Sequence, residues 1–362
     1  MKVLFLSNAK SIHTVKWVNA LSDRGHEVHL AYKKDDCPVE KNIDKRVILH
    51  QLKSSGTKGY YFNAMELNKL YKTIKPDIVN AHYASGYGIL ARYSKLKPLI
   101  LSVWGSDVYD FPYQSKIKMN ILKKNINFAG KIASTSYSMA AQVENIMGKK
   151  MDITITPFGV DTKLFRPIKI KKRDFTFGVV KTLSKKYGIE YIIKAFKILL
   201  DRIEAENLSV EPKLEIYGKG NLEGELKELT KELDISDRVI FNGYIPNVNV
   251  PEAINAMDVF CLGSESESES FGVAAVEAMA CEVPVIATNV SGFKEVVVNG
   301  KTGIIVPKKD ETSMAEAMYK LMRDSELREK MGEGGRRRVL ELYDWENNVD
   351  IMEDIYMQYK VL

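Results

Sequence analysis

Three features of the sequence predict an α/β protein of two doubly wound domains. The chain has 362 residues, about twice a typical ~150-residue domain. Short apolar runs alternate with longer amphipathic ones, the signature of parallel strands covered by helices on both faces. That alternation restarts near the middle of the chain.

The first half carries strand candidates at 3–7, 28–32, 47–52, 77–82, 99–104, 131–135 and 153–156, most of them followed by a helix. The first helix spans about 11–24, with Ile12, Val15, Val18 and Leu21 on one face and Gly25 to end it. The second half repeats the pattern with 175–180, 213–217, 239–243, 259–262, 284–288 and 303–306. Proline and a basic cluster at 164–174 mark the join, so the expected domains are 1–165 and 166–342. After Pro307 only helices are predicted, the last over about 345–359 within a terminal piece, 343–362, long enough to cross back to the first domain. Two such sheets facing each other would leave a cleft at the carboxyl ends of their strands, where doubly wound sheets bind ligands.

Composition narrows the function class. With 45% hydrophobic and 28% charged residues, collagen-like and broadly disordered chains are excluded. No apolar run approaches the ~18 residues of a spanning helix. The start, Met-Lys-Val-Leu-Phe-Leu, is too short for a signal peptide and reads as a buried strand, so the protein is expected in the cytoplasm. Cys37, Cys261 and Cys281 form no CxxC pair, against a structural zinc or a disulfide framework.

Charge is asymmetric. Residues 1–165 hold 25 Lys/Arg against 13 Asp/Glu, or +12, and residues 166–362 hold 28 against 34, or −6, which together make the net +6. A basic half suits nucleic acid, an anionic membrane surface or an acidic substrate, and equally a merely solvated lysine-rich surface. Nucleic acid is not expected, since interleaved aromatics and a nucleic-acid module are both missing. Residues 116–124, as a helix, would interleave apolar side chains with Lys116, Lys118, Lys123 and Lys124, a pattern suited to peripheral binding at the inner face of a membrane.

The most informative segment runs from Glu269 through Ser270, Phe271, Gly272 and Val273 to Glu277, followed by Pro284-Val285-Ile286-Ala287-Thr288. A loop ending in Phe271-Gly272 and opening a helix points free N–H groups and a positive helix end at whatever lies before it, which favours an anion. Glu277, in the second turn, could accept both hydroxyls of a ribose diol, and Glu269 could accept from a sugar. An acidic helix start that is merely stabilising is the plain alternative.

These residues stand in the register of glycosyltransferase family 4, the retaining GT-B sugar transferases, which the sequence resembles. Glu269, Phe271, Gly272, Glu277, Ala278 and Pro284 match the family signature. That register selects Glu269 from the Ser-Glu run and leaves Glu265 and Glu267 as expected solvated loop charges. Glu282 stands where a glycine is usual. Thr156-Pro157-Phe158-Gly159-Val160-Asp161 resembles the family segment that ends the first domain. Ser291-Gly292-Phe293-Lys294-Glu295 with Asn299-Gly300-Lys301-Thr302-Gly303 resembles two further turns, with Ser291 and Lys294 replacing a Gly and a Pro. An Arg and a Lys that face the donor diphosphate in the family correspond to Lys181 and Lys186, with Tyr187 inserted before Gly188. In the first domain His13 enters a helix, His82 closes a strand, and Trp104-Gly105-Ser106-Asp107 resembles a His-Gly-x-Asp segment with Trp104 in the histidine's place.

The resemblance implies a GT-B fold and sugar transfer from a nucleotide-diphosphate donor, most commonly uridine-linked, to a saccharide or lipid-linked acceptor with retention. It implies Glu269, Asp107 and His82 as catalytic candidates. Lys181, Lys186, Phe271, Gly272, Val273 and Glu277 would bind the donor, and His13 and Trp104 would lie on the acceptor side. Neither cofactor nor metal is expected, in keeping with the lack of an Asp-x-Asp pair. Two other readings stay open: a non-catalytic binding protein of the same shape, and a glycosidase using Glu269 and Glu277. An oxidoreductase is disfavoured, because no Gly-x-Gly-x-x-Gly follows the first strand of either half.

Overall fold

The computed structural model describes residues 1–38, 42–170 and 174–360. They form two compact units, one of Met1–Phe158 with Glu346–Leu362 and one of Gly159–Trp345.

The first unit is built on seven parallel strands: β1 (Lys2–Leu6), β2 (Glu27–Lys33), β3 (Ile48–Leu52), β4 (Ile78–His82), β5 (Leu99–Val103), β6 (Lys131–Ser134) and β7 (Ile153–Ile155), in the order β3-β2-β1-β4-β5-β6-β7. Strands β1, β2, β4 and β5 are buried along nearly their whole length because helices cover both faces. Val3, Leu4, Phe5 and Leu6 are all fully buried. The strand order reverses between β1 and β4, where Val3 pairs with both Val28 and Ile78.

The second unit has six parallel strands: β8 (Thr176–Val180), β9 (Lys213–Tyr217), β10 (Val239–Gly243), β11 (Val259–Leu262), β12 (Val285–Thr288) and β13 (Gly303–Val306), in the order β10-β9-β8-β11-β12-β13. Here the switch lies between β8 and β11. Their register covers only Val259 with Phe177 and Phe260 with Gly178, so the strands part early and open a crevice at their carboxyl ends. Every strand expected from the sequence is present, with ends displaced by a residue or so.

The units divide at Phe158/Gly159 and Trp345/Glu346, rather than at 165 and 342. The reason is a local tie within the second unit. The Val160 N–H donates to the Tyr343 carbonyl at 2.9 Å, and the Trp345 N–H donates to the Val160 carbonyl at 3.0 Å. Arg336 reaches the carbonyls of Phe165 and Thr162 as well. Part of the expected join, Lys171 to Arg173, lies outside the described residues, as do Val361 and Leu362 of the terminal piece.

The final helix, Trp345–Lys360, packs almost wholly within the first unit, burying Val349, Met352, Ile355 and Tyr356. Asn80 of β4 donates to the Tyr356 hydroxyl at 2.7 Å. Arg24 gathers Glu346, Asp350 and Glu353, and these carboxylates raise its already high pKa despite the burial that opposes its charge. Among the described residues no helix is long and apolar enough to cross a membrane.

Glu282, the departure from glycine, ends the Val273–Ala280 helix with φ +60°. A left-handed conformation costs a residue bearing a Cβ about 1–2 kcal/mol, and glycine returns part of that gain through unfolded-chain entropy. Glu282→Gly is therefore expected to raise unfolding stability by about 0.5–1 kcal/mol in urea titrations. An unchanged or lower midpoint would show that the surrounding turn, not the φ angle, sets the cost.

Candidate functional site

In the second unit the site is assembled at the β8/β11 crevice. Lys181 follows β8 directly, and its N–H continues the sheet by donating to the Tyr217 carbonyl at 2.9 Å. Its Nζ lies 2.9 Å from Glu269 Oε2, with the two side chains 17% and 13% exposed. Burial works against the ammonium, but Glu269, Tyr187 and Glu277 outweigh it and hold the pKa above the ordinary lysine value. Two cations lie over the Tyr187 ring, Lys181 Nζ and Lys186 Nζ, each 4.7 Å from its centroid. The inserted tyrosine thus holds both lysines, a role that the sequence reading did not assign to it. The inserted position itself was the available signal.

Glycines let backbone meet backbone around this pair. Gly188 has φ +57°, and a Cβ there would lie 2.1 Å from the Gly263 carbonyl oxygen. The Lys185–Tyr187 turn therefore docks on the loop after β11, where the Glu265 N–H donates to the Lys186 carbonyl at 2.9 Å. On the other side a Cβ on Gly292 would lie 2.3 Å from the Glu269 carbonyl oxygen, so the Ser291–Val296 helix starts hard against the loop.

Glu265 and Glu267 are not the solvated charges that the sequence predicted. Glu267 accepts from the Ser291 N–H at 2.9 Å, the Ser291 hydroxyl at 2.6 Å and Lys308 Nζ at 2.8 Å. Partial burial opposes its charge, but these donors pull the carboxyl down to about 2. Glu265 pairs with Lys309 at 2.7 Å. The serine at 291, where the family has a glycine, adds its hydroxyl to the donors on Glu267, and with Lys308 it pins the middle of the loop.

The loop ends in buried Phe271, set edge-on to Tyr343 with centroids 5.5 Å apart, and in Gly272 at φ +85°. The Val273–Ala280 helix starts there, and the Ala275 N–H already donates to the Gly272 carbonyl at 2.9 Å, which leaves the N–H groups before it without an acceptor inside the helix. Glu277, in its second turn, acts electrostatically on Lys181. The structure therefore brings together Lys181, Lys186, Glu269, Phe271, Gly272, Val273 and Glu277.

In the first unit the other candidates meet at the carboxyl ends of β1, β4 and β5. His82 Nδ1 is 3.0 Å from the Ser7 hydroxyl, itself 2.7 Å from the Thr14 hydroxyl. The His82 ring packs against Trp104, with centroids 4.1 Å apart, and its buried Nε2 has no hydrogen-bond partner among the described residues. Burial pushes this imidazole down to about 3, so it is neutral. His13 stacks on Phe158 at 4.0 Å and lies edge-on to Trp104 at 5.9 Å. The tryptophan in the histidine's place is thus the centre of an aromatic cluster.

Asp107 is only 1% exposed and spends its carboxylate on backbone, accepting from the N–H groups of Ala84 at 2.8 Å, Gly105 at 2.9 Å and Trp104 at 3.1 Å. Burial raises its pKa against these donors. It fixes the turns after β4 and β5, including Tyr83, whose φ of +68° is unusual for an aromatic residue. Nothing in the sequence flagged Tyr83, because backbone strain of this kind comes from its neighbours.

The neutral state of His82 has a cost in acid. The unfolded imidazole takes up its proton near pH 6.5 whereas the folded one stays neutral until about 3, so stability falls as pH drops through that window. Wild type is expected to lose about 2 kcal/mol more than His82→Gln between about pH 7 and pH 5, as measured by urea unfolding. Equal losses in the two proteins would mean that His82 is not held neutral.

Comparison with known proteins agrees with this architecture. Residues 160–338 match the family described as glycosyl transferases group 1, and residues 2–136 match the family described as glycosyl transferase 4-like. The chain belongs to the group 1 glycosyltransferases of family 4. It is 28% identical to N-acetyl-alpha-D-glucosaminyl L-malate synthase of Bacillus anthracis, over 94% of this chain and 91% of that protein. It is 38% identical to the capsular polysaccharide biosynthesis glycosyltransferase CapM of Staphylococcus aureus, over 47% of this chain and 43% of that one. Among solved structures it resembles HepE of Anabaena in complex with UDP, with a TM-score of 0.82 at 16% identity, covering 99% of this chain and 100% of that one. Sucrose-phosphate synthase of Thermosynechococcus elongatus gives 0.82 at 19%, covering 98% of each chain. At such identities the likeness is one of fold, and that fold is GT-B.

Proposed function

We propose that this glycosyltransferase moves a sugar from a nucleotide-diphosphate donor, UDP-linked, to a saccharide or lipid-linked acceptor, with retention at the anomeric carbon, in cell-surface polysaccharide or glycoconjugate synthesis. The observation that carries this reading is the Lys181–Glu269 pair at 2.9 Å beside a helix N-terminus and a second lysine. As the glycosidic bond breaks, negative charge grows on the departing diphosphate. Preorganised cations and N–H donors stabilise that charge more than the ground state, which lowers the barrier. In this reading Lys181 and Lys186 take the phosphates, aided by the N–H groups of Phe271, Gly272 and Val273. No cofactor or metal is then required. Glu277 holds the ribose hydroxyls, and Glu269, released by Lys181 when the diphosphate arrives, accepts from the transferred sugar. HepE, which has been solved with UDP and with UDP-glucose, lends support to a UDP-linked donor. Membership of the family supports retention.

In the first unit, His13 and Trp104 are the acceptor-side contacts in this reading, with His82 buried against Trp104. Asp107 acts as a positioning residue, because backbone donors occupy its carboxylate. A glycosidase would leave Lys181 and Lys186 without a purpose.

Glu277→Gln is expected to weaken nucleoside diphosphate binding by about 1.5–3 kcal/mol, roughly ten- to a hundredfold, by calorimetry in the presence of a chelator. Glu269→Gln should abolish most transfer while leaving that affinity unchanged or raised, since it frees Lys181. Equal losses of affinity in both variants, or binding that vanishes with chelator, would sink the assignment.

The helix Lys116–Phe128 supports a place at an anionic membrane surface, where a lipid-linked acceptor would be presented. Leu122 and Ile126 are buried in the core, but Ile117 is 73% and the preceding Tyr113 58% exposed beside Lys116. Four lysines near anionic lipid contribute about 1 kcal/mol each. Co-sedimentation with phosphatidylserine vesicles at low salt should fall when Lys116, Lys118, Lys123 and Lys124 are changed to Glu. A protein that ignores such vesicles would point to a soluble acceptor.

A further inference from the structure

A second cation cluster lies in the second unit, away from the donor crevice. The turn Asn299–Thr302 leads into β13, so it stands at the amino edge of the sheet, whereas Lys181 and the loop after β11 stand at its carboxyl edge. Between that turn and the helix Ser325–Leu342 is a pocket of about 490 Å³, within the range of small-molecule sites. Its cationic lining is Lys301, Lys330, Arg337 and Arg338, against the single acid Glu341. Val298, Leu327 and Met331 supply an apolar floor.

The cations divide by what they already do. Arg338 is fixed in place, donating to the carbonyls of Val296 and Glu295 at 2.9 Å each. Lys301, Lys330 and Arg337 take part in no ion pair among the described residues. In this half of the chain acids outnumber bases by 34 to 28. The helix supplies its share of the wall at positions 327, 330, 331, 334, 337 and 338, one face of successive turns. Gly334 lets it close on the turn, since a Cβ there would lie 2.8 Å from the Lys301 carbonyl oxygen. Like charges lining one pocket repel one another, and an anion relieves that repulsion. An apolar floor beneath them selects a ligand with a compact carbon skeleton over a bare ion.

We propose that this pocket binds a small phosphorylated molecule, with Arg337 and the two lysines on the phosphate and the apolar floor beneath its carbon skeleton. A guanidinium and two ammonium groups match a phosphate in charge and in donor geometry. The site is separate from the donor crevice and independent of the residues given roles there.

Calorimetric titration with inorganic pyrophosphate reads both sites in one experiment. Wild type should bind two equivalents. Lys330→Glu with Arg337→Glu should bind one, with its remaining affinity for nucleoside diphosphate unchanged, and Lys181→Ala with Lys186→Ala should keep the other. A glucose phosphate should bind the second site at least tenfold more tightly than inorganic phosphate if the apolar floor contributes. One equivalent in wild type, insensitive to Lys330 and Arg337, or weak non-saturating uptake, would overturn the second site. A single equivalent insensitive to Lys181 and Lys186 would instead overturn the donor reading, so the two failures are distinguishable. Circular dichroism of each variant confirms folding, and the conservative pair Lys330→Gln with Arg337→Gln tests the same loss without adding negative charge.

Discussion

The arrangement in the second unit depends on keeping a lysine and a glutamate paired at 2.9 Å with little access to water. Such a pair is poor evidence of stability, because removing both charges from water costs about what their attraction returns. It persists only if both partners are held, and the surrounding structure holds them. Lys181 is an extension of β8, and its ring neighbour Tyr187 is locked by the close approach of Gly188 to Gly263. Glu269 sits on a loop tied down by Glu265 to Lys309, by Glu267 to Ser291 and Lys308, and by the contact with Gly292. In the proposed function this preorganised pair is exchangeable, a diphosphate replacing the carboxylate as the lysine's partner.

The helix Ser325–Leu342 carries much of the support behind this loop. Arg336 donates to the Ala280 carbonyl at 2.8 Å, at the end of the helix that bears Glu277. Arg338 donates to the carbonyls that end the Ser291–Val296 helix, whose start lies behind Glu269. Cations at helix carboxyl ends are favourable there, and both helices direct their amino ends to the loop. One helix therefore anchors the far ends of the two that shape the site, and its outer face forms the wall of the basic pocket.

The first unit solves a different problem, because His82 and Asp107 are both buried. His82 is kept uncharged by burial under Trp104, and Asp107 is used by the backbone. Its surface nevertheless carries the basic excess of the chain. The separation is physical: charge that would be costly beside an aromatic cluster is tolerated on helices whose lysines reach water.

The sequence alone determined the architecture, because short apolar runs and period-3.6 hydrophobicity follow from which side chains must leave water, whatever their partners. It located all the strands and the Glu269 to Glu277 segment, since that segment's chemistry is local to one loop and one helix. Only the tertiary structure decided which charges are used and how. Glu265 and Glu267 resemble Glu269 in sequence, yet lysines and a serine 24 to 44 residues away turn the first two into anchors. Asp107 has the composition of a catalytic acid, but three N–H groups from two turns occupy it. Tyr187 and Tyr83 take their roles from neighbours that no short window contains. Partners distant in sequence set burial, pairing and strain, and these settle whether an ionisable residue is available for chemistry or is already part of the frame.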